Sequence, residues 1–166
     1  MELIDVVLVS AALLCSLVAG FLIAFAIVVM PGISTLSDLE FLKTFKAVDR
    51  VIQNNQPVFM IIWLGSALAI LAAAVVSVWQ LAGIDRILVI AAAAIYILGV
   101  QLPTVAINIP LNNRLQGSDL EKISEPELIE ARKSFENPWL RWNWIRTIIA
   151  VLTSAIMIVV CLRTGG

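Results

Sequence analysis

Long apolar runs, separated by two polar loops and one short turn, set the pattern of this chain. Val6–Met30, Val58–Leu81 and Ile87–Ile109 each hold about 22 to 25 residues without a charge, the length a helix needs to cross the hydrocarbon core of a bilayer. A fourth run, from Trp142 to Leu162, carries one charge, Arg146. A bilayer interior offers no water to unpaired amides, so these runs predict helices. The expected fold is all-α, a polytopic four-transmembrane-helix bundle, with residues 1–166 forming a single membrane domain.

The loops carry helix signals of their own. Pro31-Gly32 is expected to end the first span. Beyond it, Ser37 and Glu40 form a capping box, with Leu36 and Phe41 spaced as a hydrophobic staple. Leu39, Leu42, Phe45, Val48 and Ile52 then recur at helical spacing, while Asp38, Lys43, Lys46, Asp49 and Arg50 fall mainly elsewhere. This predicts an amphipathic helix over about 38–53, lying on the membrane surface or lidding the bundle, or serving simply as a connector. A second capping box, Ser124 with Glu127, and Pro126 in the first turn predict a short helix over about 125–136. Asn137 and Pro138 are then placed to open the fourth span.

Composition agrees with a membrane protein. The chain is 61% hydrophobic and 14% charged, with a mean hydropathy of +1.00, more apolar than a soluble domain of this size. Membrane lipids are therefore its expected surroundings. A net charge of -1 gives no reason to expect a nucleic-acid partner. The leader Met1-Glu2-Leu3-Ile4-Asp5 holds no Lys or Arg, so the first run reads as a permanent span and not a cleaved signal. Eight of the eleven Lys and Arg residues lie in the two long loops. The positive-inside rule puts those loops in the cytoplasm and both termini outside, in a plasma membrane or, in a bacterium, the inner membrane. Cys15 and Cys161 are offset by roughly 10 Å in depth if the spans alternate, too far for a disulfide.

The chain has no histidine. That removes histidine-ligated haem or copper, a histidine base and a Ser-His-Asp triad. Glu121, Glu125, Glu127, Glu130 and Glu136 read as a solvated face rather than a metal site, and no glycine loop cradles phosphate. No cofactor and no metal are expected.

Polar residues inside the spans carry the candidate chemistry, because groups costly to place in lipid mark function or interhelical bonding. Pro103 lacks an amide hydrogen and should loosen the turn near Gly99. Gln101, Thr104, Asn108 and Asn112 follow one face of the third span if the helix persists. Trp139, Trp142, Asn143 and Arg146 share a face at the start of the fourth. The tryptophans also fit an interfacial aromatic belt, and Arg146 also fits snorkelling to headgroups. Since the loop joins these two ends on one side, Asn108, Asn112, Trp142, Asn143 and Arg146 are expected to converge on one pocket.

These blocks carry a resemblance. Gly20, Met30-Pro31, Gln56-Pro57-Val58-Phe59, Tyr96 and Gly99, then Asn108-Ile109-Pro110-Leu111-Asn112, Trp139, Trp142-Asn143 and Arg146-Thr147 are similar to the anthrone oxygenase-like integral membrane family. The resemblance implies a four-helix membrane bundle. It also implies cofactor-free oxidation, by dioxygen, of a flat aromatic or polyketide-like molecule of the anthrone type. Trp144 stands where the family pattern often has histidine. In this reading Arg146, Asn143 and Asn108 are the catalytic candidates, with Arg146 facing the substrate oxyanion. Asn112, Trp139, Trp142, Gln101 and Tyr96 are the ligand-binding candidates. The base stays open between Tyr96 and Glu136. The alternative is a non-catalytic protein that binds a lipid, quinone or pigment, or an accessory subunit of a larger membrane complex. A transporter is a third option. A homo-oligomer and a larger complex both fit the sequence.

Overall fold

The structure is a computed structural model and describes residues 2–165. Five helices account for most of it, and among the described residues there is no strand. Four are long and apolar enough to cross a membrane: α1 (Leu3–Ser34), α3 (Pro57–Gln80), α4 (Gly83–Gln116) and α5 (Glu125–Thr164). The fifth, α2 (Asp38–Gln53), is the amphipathic helix.

Helix α1 packs against α3 and α5, and α4 packs against the same two helices. Small residues, including Ala11, Ala12, Ala73, Ala92, Ala93 and Ala150, are buried along these contacts and let the backbones approach closely. The outward faces are apolar as well: Leu68, Trp79 and Leu162 are each more than two-thirds exposed. Large apolar side chains facing out along every long helix suit lipid and not water.

Three prolines shape the long helices by one rule. Each lacks an N–H, and its ring crowds the carbonyl four residues back. A π-helical turn ends two residues before Pro31 (Phe25–Val29), Pro103 (Ile97–Gln101) and Pro110 (Thr104–Asn108). Inserting one residue into the turn relieves the crowding without breaking the helix. The expected loosening near Gly99 is therefore present. The expected stop at Pro31-Gly32 is not, because the π turn absorbs the proline and α1 continues to Ser34.

The sequence also divides what the structure joins. The predicted helix over 125–136 and the fourth span form one 40-residue helix through Pro138. Phe135 and Trp139 flank the proline and are buried in one aromatic cluster, which holds the two halves in line.

Helix α2 opens on the predicted capping box: the Ser37 hydroxyl and amide donate to Glu40 Oε2 at 2.6 and 3.2 Å. These bonds hold the Glu40 carboxyl below the usual glutamate range. Its inward stripe differs from the one expected. Phe41, Leu42, Phe45 and Asp49 are buried, whereas Val48 is 36% exposed. Phe41 and Phe45 enter the cluster with Phe25, Met30, Leu115, Phe135 and Trp139. Withdrawing each such side chain from water is worth roughly 1.5–3 kcal/mol. Arg132 of α5 fastens the same corner. It donates to the carbonyls of Ser34 and Leu36 and to Asp38 Oδ1, and its guanidinium lies 4.3 Å from the centre of the Phe41 ring.

At Gly99, α4 meets α5 so closely that an added Cβ would collide with Ile149 Cδ1 and lie 3.1 Å from its Cγ2. Gly99→Leu is expected to force the helices apart, lowering stability by about 1–3 kcal/mol. Thermal unfolding in detergent measures this; an unchanged midpoint would contradict it.

Candidate functional site

One cavity of about 370 Å³ lies among α1, α2, α3, α4 and α5. Its wall is mostly apolar, with Leu17, Phe21 and Leu22 from α1 and Phe59, Met60 and Trp63 from α3. It reaches the surface beside Gln53 and Asn55, both exposed, at the α2–α3 turn. Asn55 takes a positive φ of 55° there, a conformation asparagine tolerates better than most residues.

The polar side chains sit in two layers. The inner layer is Arg146, Asn143, Asn108 and Thr104. Arg146 Nη1 donates to Thr104 Oγ1 at 2.9 Å, and Nη2 donates to Asn143 Oδ1 at 3.1 Å. Asn143 Nδ2 in turn donates to the Leu22 carbonyl at 3.2 Å. Arg146 is 5% exposed, and its Nε has no partner. No carboxylate among the described residues forms an ion pair with it. Asn108 is 2% exposed, and both of its amide atoms lack partners. The Trp63 indole nitrogen is also buried without an acceptor. Buried polar groups nearly always find partners in a folded protein. Here three side chains with unpartnered buried polar atoms line one cavity.

The outer layer is Asn112, Trp139 and Asp49. Trp139 Nε1 donates to Asn112 Oδ1 at 2.9 Å, and Asn112 Nδ2 donates to Asp49 Oδ1 at 2.7 Å. Gln116 and Gln53 donate to Asp49 Oδ2 at 2.9 and 3.0 Å. The Trp139 ring packs against Phe25 and Phe45, with centroids 5.7 and 5.2 Å apart. It is thus a fixed part of the wall.

The π turn before Pro110 aligns the two layers. Eight residues of regular α-helix, from Thr104 to Asn112, would over-rotate by about 80°. The extra residue in the Thr104–Asn108 turn takes rotation back, so Thr104, Asn108 and Asn112 all face the cavity.

Of the eight site residues expected from sequence, Arg146, Asn143, Asn108, Asn112 and Trp139 line this cavity. Three lie elsewhere. Trp142 is half-buried outside it. Tyr96 is fully buried, with its hydroxyl 2.8 Å from Ser66 Oγ. Gln101 donates to Ser66 Oγ at 3.3 Å. Tyr96 and Gln101 therefore join α4 to α3 away from the cavity. Glu136 pairs with Arg132 at 2.8 Å instead of turning inward. Sequence reasoning missed Asp49 and Trp63. Phe41, Phe45, Asp49 and Gln53 recur every four residues along one face of α2, a spacing that puts Asp49 on the aromatic face but does not say what that face meets.

Among the described residues no three Cys, Asp or Glu side chains come together as metal ligands. What the arrangement offers is a mostly apolar cavity with hydrogen-bond donors and a cation at its inner end and a carboxylate at its outer end. Trp144, at the position where the family pattern often has histidine, is 44% exposed and off the cavity. That departure leaves the cavity lining untouched. No curated protein and no solved structure gives a significant match. The polar residues of both layers, from Asp49 to Arg146, fall within residues 49–156, which match the family model described as anthrone oxygenase, and the chain belongs to that family.

Proposed function

We propose that this protein is a multi-pass membrane oxygenase, a four-helix bundle whose cavity takes a flat, enolisable aromatic molecule of the anthrone type. The observation that carries the reading is Arg146, a buried cation with no counter-ion, beside Asn108 with no partner at all. An uncompensated buried charge is costly. An enolate oxygen bound there would offset that cost, and the stabilised anion is the species that reacts. Loss of a proton from the substrate methylene carbon moves an electron pair through the ring onto the carbonyl oxygen facing Arg146. The electron-rich carbon then adds dioxygen, forming a C–O bond and a peroxide anion, which takes back the released proton to become a hydroperoxide. Loss of water breaks the O–O bond and the remaining C–H bond and leaves a carbonyl. The net change is CH2 + O2 → C=O + H2O, with no added reductant. Donors already aimed at the developing oxyanion need no reorganisation during the reaction. The partners are membrane lipids and the hydrophobic aromatic substrate. The distribution of Lys and Arg supports cytoplasmic long loops and external termini.

Membranes containing the protein, supplied with a hydroxylated anthrone and air, are expected to consume one dioxygen per anthraquinone formed, faster than membranes without it. Quinone binding with no turnover would instead favour a non-catalytic quinone or pigment carrier, a reading the apolar wall also fits.

A further inference from the structure

We propose that Asp49 is the proton acceptor for the molecule bound in the cavity. The assignment rests on the oxygenase reading, which requires a base near the substrate carbon. Asp49 is 3% exposed and lines the cavity. Among the described residues it has no ion-pair partner. Its neighbours are instead three amide donors: Asn112 on Oδ1, and Gln116 and Gln53 on Oδ2. A carboxylate offers about four acceptor positions. Three are taken, and one, on Oδ1, remains. The amides fix the orientation of the group without supplying a charge that would blunt it.

The other candidates are spoken for. Tyr96 bonds Ser66, Glu136 bonds Arg132, and neither lines the cavity. Arginine stays protonated and is unsuited to the task. Asp49 also lies at the correct end. Along α5, Trp139 of the outer layer and Arg146 of the inner layer are separated by roughly 10 Å of helical rise. That leaves room for one six-membered ring between them, with its oxygen towards Arg146 and the opposite methylene carbon towards Asp49. The C–H bond breaks with its proton passing to Asp49 Oδ1, and its electron pair moves through the ring to the oxygen beside Arg146. The proton returns from Asp49 to the peroxide anion as the hydroperoxide forms, which regenerates the carboxylate. The carboxylate then takes the second C–H proton and passes it to the departing hydroxide, releasing water.

Proton removal can be read without oxidation. Under nitrogen, membranes containing the protein are expected to exchange the methylene hydrogens of a hydroxylated anthrone with deuterated water faster than membranes lacking it. Asp49→Asn should slow that exchange by about 100-fold or more, while binding of the anthraquinone product, read by tryptophan quenching, stays within about threefold. A purely structural Asp49 would lower binding and thermal stability and leave exchange per bound substrate unchanged. Exchange by Asp49→Asn at the wild-type rate overturns the assignment and leaves the oxygenase reading standing. If the wild type neither exchanges nor oxidises, both fail. Should Asp49→Asn lose product binding, Asp49→Glu decides: exchange by this variant supports a carboxylate base, and its absence overturns it.

Discussion

Arg146→Gln is expected to lower kcat/KM for anthrone oxidation by roughly 100- to 1,000-fold, the loss typical of removing one preorganised donor from an oxyanion site. The variant should keep or gain thermal stability. Arg146 donates only to the neutral acceptors Thr104 Oγ1 and Asn143 Oδ1 and has no carboxylate partner, so a neutral side chain removes a desolvated charge. Arg146→Lys should fall between wild type and glutamine, since it keeps the charge but loses the planar fork that meets both acceptors. Steady-state oxygen uptake together with thermal unfolding in detergent measures both effects. Full turnover with lowered stability in both variants would make Arg146 a structural residue.

Asn112→Leu should act on stability and rate together. Asn112 is the joint between three elements: it accepts from Trp139 of α5 and donates to Asp49 of α2 from its own place on α4. Its loss strands the Trp139 N–H and removes one of three donors on Asp49. A stranded buried group costs about 1–3 kcal/mol, so the midpoint of unfolding should fall by several degrees. With the tether gone, α2 should open more readily while the packing of α1, α3, α4 and α5 persists. Amide hydrogen exchange resolved by segment separates the two, with faster exchange confined to residues 38–53. Uniformly faster exchange along all helices would show that Asn112 supports the whole fold and not the seating of α2.

The contrast between these residues and Asp49 marks where local pattern stops being informative. Asn108, Asn143 and Arg146 stand out along the chain because each is polar in a largely apolar run, where an outward-facing amide or charge is expensive, and Asn112 follows Asn108 by one helical step. That cost alone points them inward. Asp49 sits on an amphipathic helix with Asp38, Lys43, Lys46 and Arg50 around it, and a carboxylate in such company costs nothing on the solvent side. It is buried because Asn112 and Gln116, more than 60 residues away, meet it there. Trp139 and Trp142 show the same limit. Both belong to one broad face of α5, but only Trp139 finds the phenylalanines of α1 and α2.

The sequence by itself determined the four long apolar helices, the capped amphipathic helix and the inward set of amides with Arg146, because length, caps and the cost of polar groups in an apolar run act within a few turns. Tertiary structure alone decided three things. Helix α1 runs through Pro31 and α5 through Pro138 because π turns and the aromatic cluster stabilise them against the missing bonds. Tyr96 and Gln101 serve the α3–α4 contact because Ser66 lies opposite them. Asp49 joins the cavity because α2 docks its Phe41, Phe45 and Asp49 face against α1, α4 and α5. Each depends on which distant surface a residue meets, and spacing along the chain does not contain that information.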